Sequence, residues 1–255
     1  MNIELILNLI AKEFKIRYKN SVLGFLWIFL YPLMMILIFL FIFTKLFRYD
    51  LPYYPSYLLI GLIVWNYFGE TTTKNLTIFI EYANIYTKTS VNKIIFVFSS
   101  VLFGTIDFLL KFSILLGVLI FLKYYLNWPS LLNINLTFVL IVPIILIEFL
   151  LIMGVSLILS IGYVYLRDLI NIWGVVLQLG FFLTPIFYPD SLIPYKPVLT
   201  LNPLYHIITI FRGIMIHGKI PSIYHISLSI IFSFSILIIG IFVFNKLKDT
   251  VIEKV

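Results

Sequence analysis

The chain has 255 residues, of which 62% are hydrophobic and only 11% carry a formal charge. A soluble globular domain carries about 25% charged residues, so this composition excludes an ordinary soluble domain and predicts an integral membrane protein. The net charge of +7 is spread over connections between apolar runs, which argues against a nucleic-acid-binding groove and favours contact with anionic lipid headgroups.

The first segment predicts an amphipathic helix over residues 3–18 that lies on the membrane surface. One face carries Ile3, Leu7, Ile10, Phe14 and Tyr18, and the opposite face carries Glu4, Asn8, Lys12, Lys15 and Lys19. An apolar stripe with basic residues at its polar edge is typical of an interfacial helix. The pattern fits a plain membrane anchor and a specific docking element equally well.

Six apolar runs follow, each long enough for a transmembrane helix. A helix needs roughly 20 apolar residues to cross the hydrocarbon core of a bilayer. The runs are 25–44, 57–74, 96–122, 135–163, 169–187 and 222–245. We therefore predict an all-α integral membrane protein with six transmembrane helices.

The distribution of Lys and Arg predicts the orientation of these helices. With six spans, both termini lie on the same side of the membrane. The segments on that side hold eleven positive residues and the opposite connections hold six. Because positive charge concentrates in cytosolic segments, we expect both termini in the cytosol.

Two connections differ from simple loops. The cytosolic stretch 75–93 is too polar to span, yet Phe79, Tyr82 and Ile85 predict a short helix parallel to the membrane. The outer stretch 188–221 contains five prolines, which stop helices, between apolar segments. We expect short broken helices that re-enter the outer leaflet between helices five and six, because such backbone must be buried in protein or line a cavity.

Three ionisable residues fall within predicted spans. Asp107 and Lys111 are four residues apart and can pair on one helix face, and Glu148 lies at a similar depth in the next span. An unpaired charge at the bilayer centre costs roughly 2.5–3.5 kcal/mol, so all three should face protein. An ion cluster that fixes the packing of the third and fourth spans is favoured over a proton or ion relay, because the other spans offer almost no further ionisable groups.

The sequence shows no convincing catalytic or metal-binding pattern. The stretch 213–219 matches G-x-x-x-x-G-K, but Ile220 stands where a phosphate-binding loop needs Ser or Thr for magnesium. His206, His217 and His225 are too far apart in sequence for the i, i+4 pair of a helical metal site. We expect no catalytic residue, no metal and no cofactor in this chain.

Aromatic residues make up 18% of the chain. Most of them should face lipid or neighbouring helices. The remainder could line a path for an amphipathic solute, because sugar rings have apolar C–H faces that stack on aromatic planes. The candidate lining residues are Trp27, Tyr31, Phe181, Phe182 and Tyr188.

Several stretches together carry a resemblance to a known family. The block from Arg17 to Trp27 reads RYKNSVLGFLW and continues to Tyr31-Pro32-Leu33. Further stretches are Tyr57–Leu62 with Trp65, Tyr165–Asp168, Thr184–Pro189 and Leu201–Leu204. Over essentially its full length the chain resembles the membrane permeases of type-2 ABC exporters for polysaccharide, the Wzm-like O-antigen permeases and their teichoic-acid counterparts.

The resemblance implies a particular architecture. Residues 1–255 would form a single ABC transporter transmembrane domain, with an interface helix in 1–22, a cytosolic coupling loop in 75–93 and a re-entrant outer gate in 188–221. Two such chains would form a homodimer around a central channel. Two separate ATP-binding cassette subunits would dock from the cytosol and bind ATP and magnesium, so this chain itself would not be an enzyme. The candidate docking contacts are Glu81, Tyr82 and Lys88.

The resemblance also implies a substrate. The permease would move a lipid-linked, O-antigen-like polysaccharide across the bacterial cytoplasmic (inner) membrane, and Arg17 and Lys19 could attract the lipid diphosphate headgroup. Two alternatives stay open at this point. One is an ABC permease for a drug or another small amphipathic molecule, and the other is an ion-coupled secondary transporter that uses Asp107, Lys111 and Glu148. No nucleic acid is expected as a partner.

Overall fold

The computed structural model describes residues 3–18, 26–42, 53–86, 91–125, 127–128, 132–190, 193 and 196–248. All regular secondary structure within these ranges is helical. The helices are α1 (Ile3–Tyr18), α2 (Trp27–Phe41), α3 (Tyr54–Leu76), α4 (Ile78–Glu81), α5 (Ala83–Tyr86), α6 (Ile94–Tyr125), α7 (Ile141–Tyr165), α8 (Leu169–Leu183), α9 (Lys196–Thr200), α10 (Pro203–Met215) and α11 (Ile223–Leu247). The predicted all-α class is therefore confirmed.

Each of the six predicted apolar runs coincides with one helix, namely α2, α3, α6, α7, α8 and α11. In the described part of the chain, three helices are long and apolar enough to cross a membrane: α6, α7 together with the 3₁₀ turn that precedes it, and α11. Helix α8 is apolar but has only 15 residues. The stretch 75–93 contains the short helices α4 and α5, and the stretch 188–221 contains α9 and α10.

Helix α8 ends four residues before the predicted boundary, because of a proline. Pro185 disfavours a helical conformation at the residue before it. Thr184 accordingly has extended angles, φ −97° and ψ 127°. Its hydroxyl donates to the carbonyl of Gly180 at 2.7 Å, which gives one of the last helical carbonyls a partner. The chain then leaves the helix in a compact turn over residues 184–188.

The side of the amphipathic helix α1 that packs against α6 extends beyond the predicted apolar face. Its buried apolar residues are Ile6, Leu9 and Ile10, whereas Ile3 and Leu7 of the predicted face remain exposed on the protomer. That the exposed face lies on the membrane stays a prediction. A helix held between protein and lipid needs apolar residues on both of these sides, so its stripe is wider than that of a helix on a lipid surface alone.

Helices α7 and α11 pack with their backbones in direct contact. A Cβ atom on Gly154 would lie 2.6 Å from the backbone nitrogen of Leu237, and one on Gly240 would lie 2.5 Å from the carbonyl oxygen of Gly154. Close approach through small residues is the usual way that helices associate where lipid removes the hydrophobic driving force. Buried Ser229 and Ser233 extend this small-residue stripe along α11.

Helix α3 lies at the centre of the protomer and contacts α6, α7, α8 and α10. Its Ile60 and Val64 are fully buried. Towards α6, the hydroxyl groups of Tyr67 and Thr105 share a hydrogen bond of 2.7 Å. Helix α3 is therefore placed to connect the turn at residues 184–188 with the connection that contains α4 and α5.

Candidate functional site

Arg212 of α10 holds the turn that follows α8. Its side chain is only 6% exposed. The guanidinium donates from Nη1 to the carbonyl of Pro185 at 2.7 Å, from Nη2 to the carbonyl of Ile186 at 2.8 Å, and from Nε to the carbonyl of Tyr57 at 3.0 Å. A guanidinium has five N–H donors in a fixed fork and no acceptor, so three converging carbonyls satisfy most of its donor capacity.

Two tyrosines on α3 complete this clamp. The hydroxyl of Tyr54 donates to the carbonyl of Phe187 at 2.6 Å, and that of Tyr57 donates to the carbonyl of Tyr188 at 3.0 Å. The ring of Tyr57 also lies 3.4 Å from the guanidinium carbon of Arg212, in a cation–π contact. We call Arg212, Tyr54 and Tyr57 the outer clamp. It fixes the main chain of residues 184–188 against α3 and α10.

The start of α10 is tied to the end of α8 by side chains. The amide of Asn202 donates to the hydroxyl of Thr184 at 2.7 Å, and its oxygen accepts from the backbone N–H of Leu204 at 3.0 Å. The second contact is the usual cap at a helix N-terminus. Tyr205 donates to the carboxylate of Asp190 at 3.0 Å. Helix α10 therefore moves with the turn unless these bonds break.

Two histidines join α10 to α11. The Nδ1 atoms of His206 and His225 lie 2.8 Å apart, and Nε2 of His206 lies 2.9 Å from the carbonyl oxygen of Thr200. His206 is fully buried. The sequence separation of these histidines concealed this pairing, since a contact between two helices has no fixed spacing.

The nucleotide-loop match at 213–219 is a helix terminus. Gly218 adopts φ +60°, the left-handed conformation that commonly ends a helix. A Cβ at this position would lie 2.6 Å from the amide nitrogen of Asn135, which donates to the carbonyl of Gly218 at 2.9 Å. The glycine is therefore required by the backbone conformation and by close packing. A phosphate-binding loop lies before the helix that it begins, whereas this segment lies after the end of α10.

The structure places the predicted channel residues in two environments. Trp27 and Phe182 are exposed on the protomer, by 42% and 55%. Phe181 is half-buried, with its ring 5.9 Å from that of Trp65 and 5.8 Å from that of Phe187. The hydroxyl of Tyr188 donates to the carbonyl of Phe182. The side chain of Tyr31 lies outside the described residues.

A network of polar contacts joins α1 to the connection after α3. The hydroxyl of Tyr82 donates to Oε1 of Glu13 at 2.9 Å, and Nζ of Lys74 lies 3.7 Å from Oε2 of the same carboxylate. Lys74 also donates to Glu81 at 2.7 Å, and Glu81 accepts from the hydroxyl of Thr77 at 2.6 Å. Burial, and then the carboxylate of Glu13, raise the pKa of Tyr82 well above its ordinary value.

This network corrects one expectation for partner contacts. Tyr82 is only 2% exposed and faces its own chain, so it is not available to a docked subunit. Glu81 is exposed, although its carboxylate is held by Lys74. Lys88, Lys19 and the side chain of Arg17 lie outside the described residues.

The ion cluster in the structure contains different residues from the predicted one. Nζ of Lys111 lies 3.0 Å from Asp107, as the spacing of the two residues suggested, and 2.7 Å from Glu70 on α3. Glu148 is fully buried, and neither of its carboxylate oxygens has a hydrogen-bond partner among the described atoms. Lys111 therefore bridges α6 to α3, and Glu148 is not bonded to the other two residues.

These charges lie close to the interface helix. A cavity of about 240 Å³ between α1, α3 and α6 is lined by Glu13, Glu70, Lys74 and Asp107, among others. Charged side chains of α1, α3 and α6 therefore gather around one cavity.

Sequence reasoning missed Arg212, Glu13 and Glu70 as site residues. A signal for Arg212 was present, because it is a lone cation inside the apolar run from His206 to Ile216. Glu13 and Glu70 lie among other polar residues, and only the three-dimensional packing selects them.

Comparison with known proteins identifies the family. The sequence model of the ABC-2 type transporter family matches residues 4–216. The chain belongs to the ABC-2 type transporter family. One similar protein is the O-antigen export system permease protein RfbA of Klebsiella pneumoniae, with 33% identity over 248 residues that cover 96% of this chain and 92% of that protein. The protein of the same name from Myxococcus xanthus is 28% identical over 222 residues, covering 85% of this chain and 82% of that protein.

Membership of the ABC-2 type transporter family indicates what kind of subunit this chain is. An ABC-2 type transporter chain is the multi-pass membrane subunit of a transporter that works with ATP-binding subunits. The family match runs from α1 to the end of α10 and so includes both the network around Glu13 and the outer clamp. The polar contacts described above are therefore parts of a transport subunit.

Proposed function

We propose that this chain is the permease subunit of an ATP-driven exporter that moves a lipid-linked, O-antigen-like polysaccharide across the bacterial cytoplasmic membrane. The observation that carries the proposal is the 33% identity to an O-antigen export permease over 96% of the chain. The exposed Trp27 and Phe182 support it, because aromatic planes suit a sugar chain that must slide without being held.

The proposed topology has six membrane spans and both termini in the cytosol. Helices α2, α3, α6, α7, α8 and α11 would cross the membrane, and α9 and α10 would form the re-entrant outer segment. The five prolines between 188 and 221 and the burial of α10 against α3, α7 and α11 favour this arrangement.

The proposed assembly is a homodimer with two ATP-binding subunits on the cytosolic side. Helix α8 supports a second copy, because it is apolar yet buries no side chain within the protomer. On the cytosolic side, Glu81, Asn84 and Ile85 form the exposed surface of α4 and α5 and are the proposed docking contacts. ATP and magnesium would be bound by the partner subunits.

The outer clamp is proposed to close the passage at rest. It holds residues 184–188 by their main chain, so the turn keeps its shape without help from substrate. The passage would open only when α3 and α10 move relative to each other. Movement of the ATP-binding subunits would reach α3 through the network at Lys74 and Glu81.

The test is export in a strain that lacks the native permease. The chain, expressed with a candidate ATP-binding partner from the same organism, should restore surface polysaccharide measured by immunoblotting, and the two proteins should purify as one complex. A partner whose ATPase site has been inactivated is the control and should abolish export while preserving the complex. Absence of both rescue and complex would overturn the proposal.

The ion-coupled alternative has its own test. A relay through Glu148 requires a carboxylate, whereas a structural role does not. The substitution Glu148→Gln should leave export near the wild-type level if ATP drives transport. Loss of export with normal expression and assembly would favour the secondary transporter.

A further inference from the structure

The contact between His206 and His225 allows only certain proton arrangements. Nε2 of His206 faces the carbonyl oxygen of Thr200 at 2.9 Å, and a carbonyl only accepts, so this nitrogen carries a hydrogen. The two Nδ1 atoms are 2.8 Å apart, which is a hydrogen-bond distance and leaves room for one hydrogen between them. One Nδ1 therefore donates and the other accepts.

The proton count follows from this arrangement. With both rings neutral, His225 donates from Nδ1 and His206 accepts. With one ring protonated, either ring can be the cation and the bond between the Nδ1 atoms still forms. With both rings protonated, each Nδ1 carries a hydrogen and two like charges face each other, so the contact cannot persist. The bonded pair thus tolerates at most one added proton.

We propose that His206 and His225 form a proton-binding latch between α10 and α11. The latch stays closed while the pair holds no more than one added proton. It opens when external acid delivers a second one. A free histidine titrates between about pH 5 and 8, and burial lowers the pKa of His206, so the latch stays closed at neutral pH and opens only towards the acid end of this range. This inference goes beyond the proposed function, because it requires no substrate; only the side of the membrane comes from the proposed topology.

A carboxylate lies near the latch. The ring of Tyr205 lies 5.8 Å from that of His225, and the hydroxyl of Tyr205 donates to the carboxylate of Asp190 at 3.0 Å. The other titratable or charged groups near the latch are Tyr224 on α11, Tyr57 on α3, and Arg212 on α10, which acts on Asp190. One carboxylate can balance one cation, so the second proton meets uncompensated repulsion.

Opening the latch would move a defined part of the structure. The bonds of Asn202 to Thr184 and of Tyr205 to Asp190 do not involve the histidines, so the start of α10 would stay tied to the end of α8. Helix α11 would separate from that unit at its first turn. Acid would therefore loosen the outer segment on the α11 side alone.

The absence of cysteine permits a direct distance measurement. Spin labels at Leu201→Cys and Ile223→Cys, which are 69% and 84% exposed, would report the separation of α9–α10 from α11 in the full-length protein in lipid nanodiscs. We expect the distance distribution to lengthen or broaden from about pH 8 to about pH 5. In His225→Asn the change should vanish, because the amide nitrogen of Asn occupies the position of Nδ1 and does not titrate.

The control variant is His217→Asn. His217 is exposed and contacts Tyr53, so its removal should leave the acid response unchanged. Should His225→Asn fail to fold, ¹⁵N spectra of the histidine rings in the unsubstituted protein remain decisive, since they should show a hydrogen bond between the Nδ1 atoms at about pH 8 that is lost at about pH 5. A distance that is independent of pH, or a response that survives in His225→Asn, would overturn the proposal.

Discussion

Tyr82 and Glu13, separated by 69 positions in the sequence, share a buried hydrogen bond of 2.9 Å that joins the connection after α3 to helix α1. The carboxylate belongs to α1 and the hydroxyl to the segment between α4 and α5. Lys12 adds a second contact, with its Nζ 4.1 Å from the centre of the Tyr82 ring. Helix α1 is therefore bound to the connection that contains α4 and α5.

Replacement of Tyr82 by Phe should weaken the link between these two segments. The variant leaves a carboxylate that is 6% exposed with one hydrogen bond fewer, at a cost of about 1–3 kcal/mol. We expect export to fall while ATP hydrolysis by the complex persists, measured as polysaccharide exported per ATP consumed. Glu4→Gln, on an exposed site of the same helix, is the control and should leave this ratio unchanged.

Arg212→Lys should loosen the outer turn although it keeps the charge. A lysine ammonium cannot reproduce the planar fork that reaches three carbonyl groups at once. We expect the free energy of unfolding to fall by about 2 kcal/mol or more, and hydrogen exchange over residues 184–188 to accelerate. The control is Lys219→Ala, which removes an exposed cation from the same side of the protein. Unchanged exchange in Arg212→Lys would contradict the clamp.

Gly154→Ala should separate α7 from α11. The new methyl group would lie 2.6–2.7 Å from the backbone of Leu237 and Ile236, which cannot rotate away as a side chain can. Overpacking of this kind costs about 1–3 kcal/mol, seen as a lower midpoint of thermal unfolding in detergent. Gly117→Ala on α6 is the matched control, because its methyl group meets nothing within 4 Å and alanine favours the helix.

Lys111→Met should destabilise the protein more than Glu70→Gln. The first change removes the ammonium 3.0 Å from Asp107, whose side chain is only 6% exposed, and breaking a buried pair costs about 3–5 kcal/mol. The second removes a carboxylate that is 42% exposed, where an ion pair contributes about 1 kcal/mol or less. Denaturant unfolding of both variants measures the difference. Equal losses would show that Glu70 matters as much as Asp107.

Hydropathy and sequence periodicity predicted where the helices lie better than they predicted which side chains meet between helices. The helix over residues 3–18 and the six apolar runs each correspond to a helix, because hydropathy and helical spacing act locally. The partners of Glu13 and His206 could not be predicted, because each partner lies on another segment of the chain. The periodicity of the sequence gives no information on which residues of two packed segments meet. Tyr82 was misassigned for the same reason: an aromatic residue in a polar stretch gives no sign of which way it faces.

The outer clamp binds backbone carbonyls of the turn. The half-buried Phe187 and Tyr188 can therefore change from one member of the family to another while these bonds are kept, whereas Ile186 is fully buried and must preserve its packing. Evolution can thus vary the chemistry that part of this turn presents while Arg212, Tyr54 and Tyr57 stay constant. A comparison of many relatives should show variable residues at these two turn positions and invariant residues at the three clamp positions.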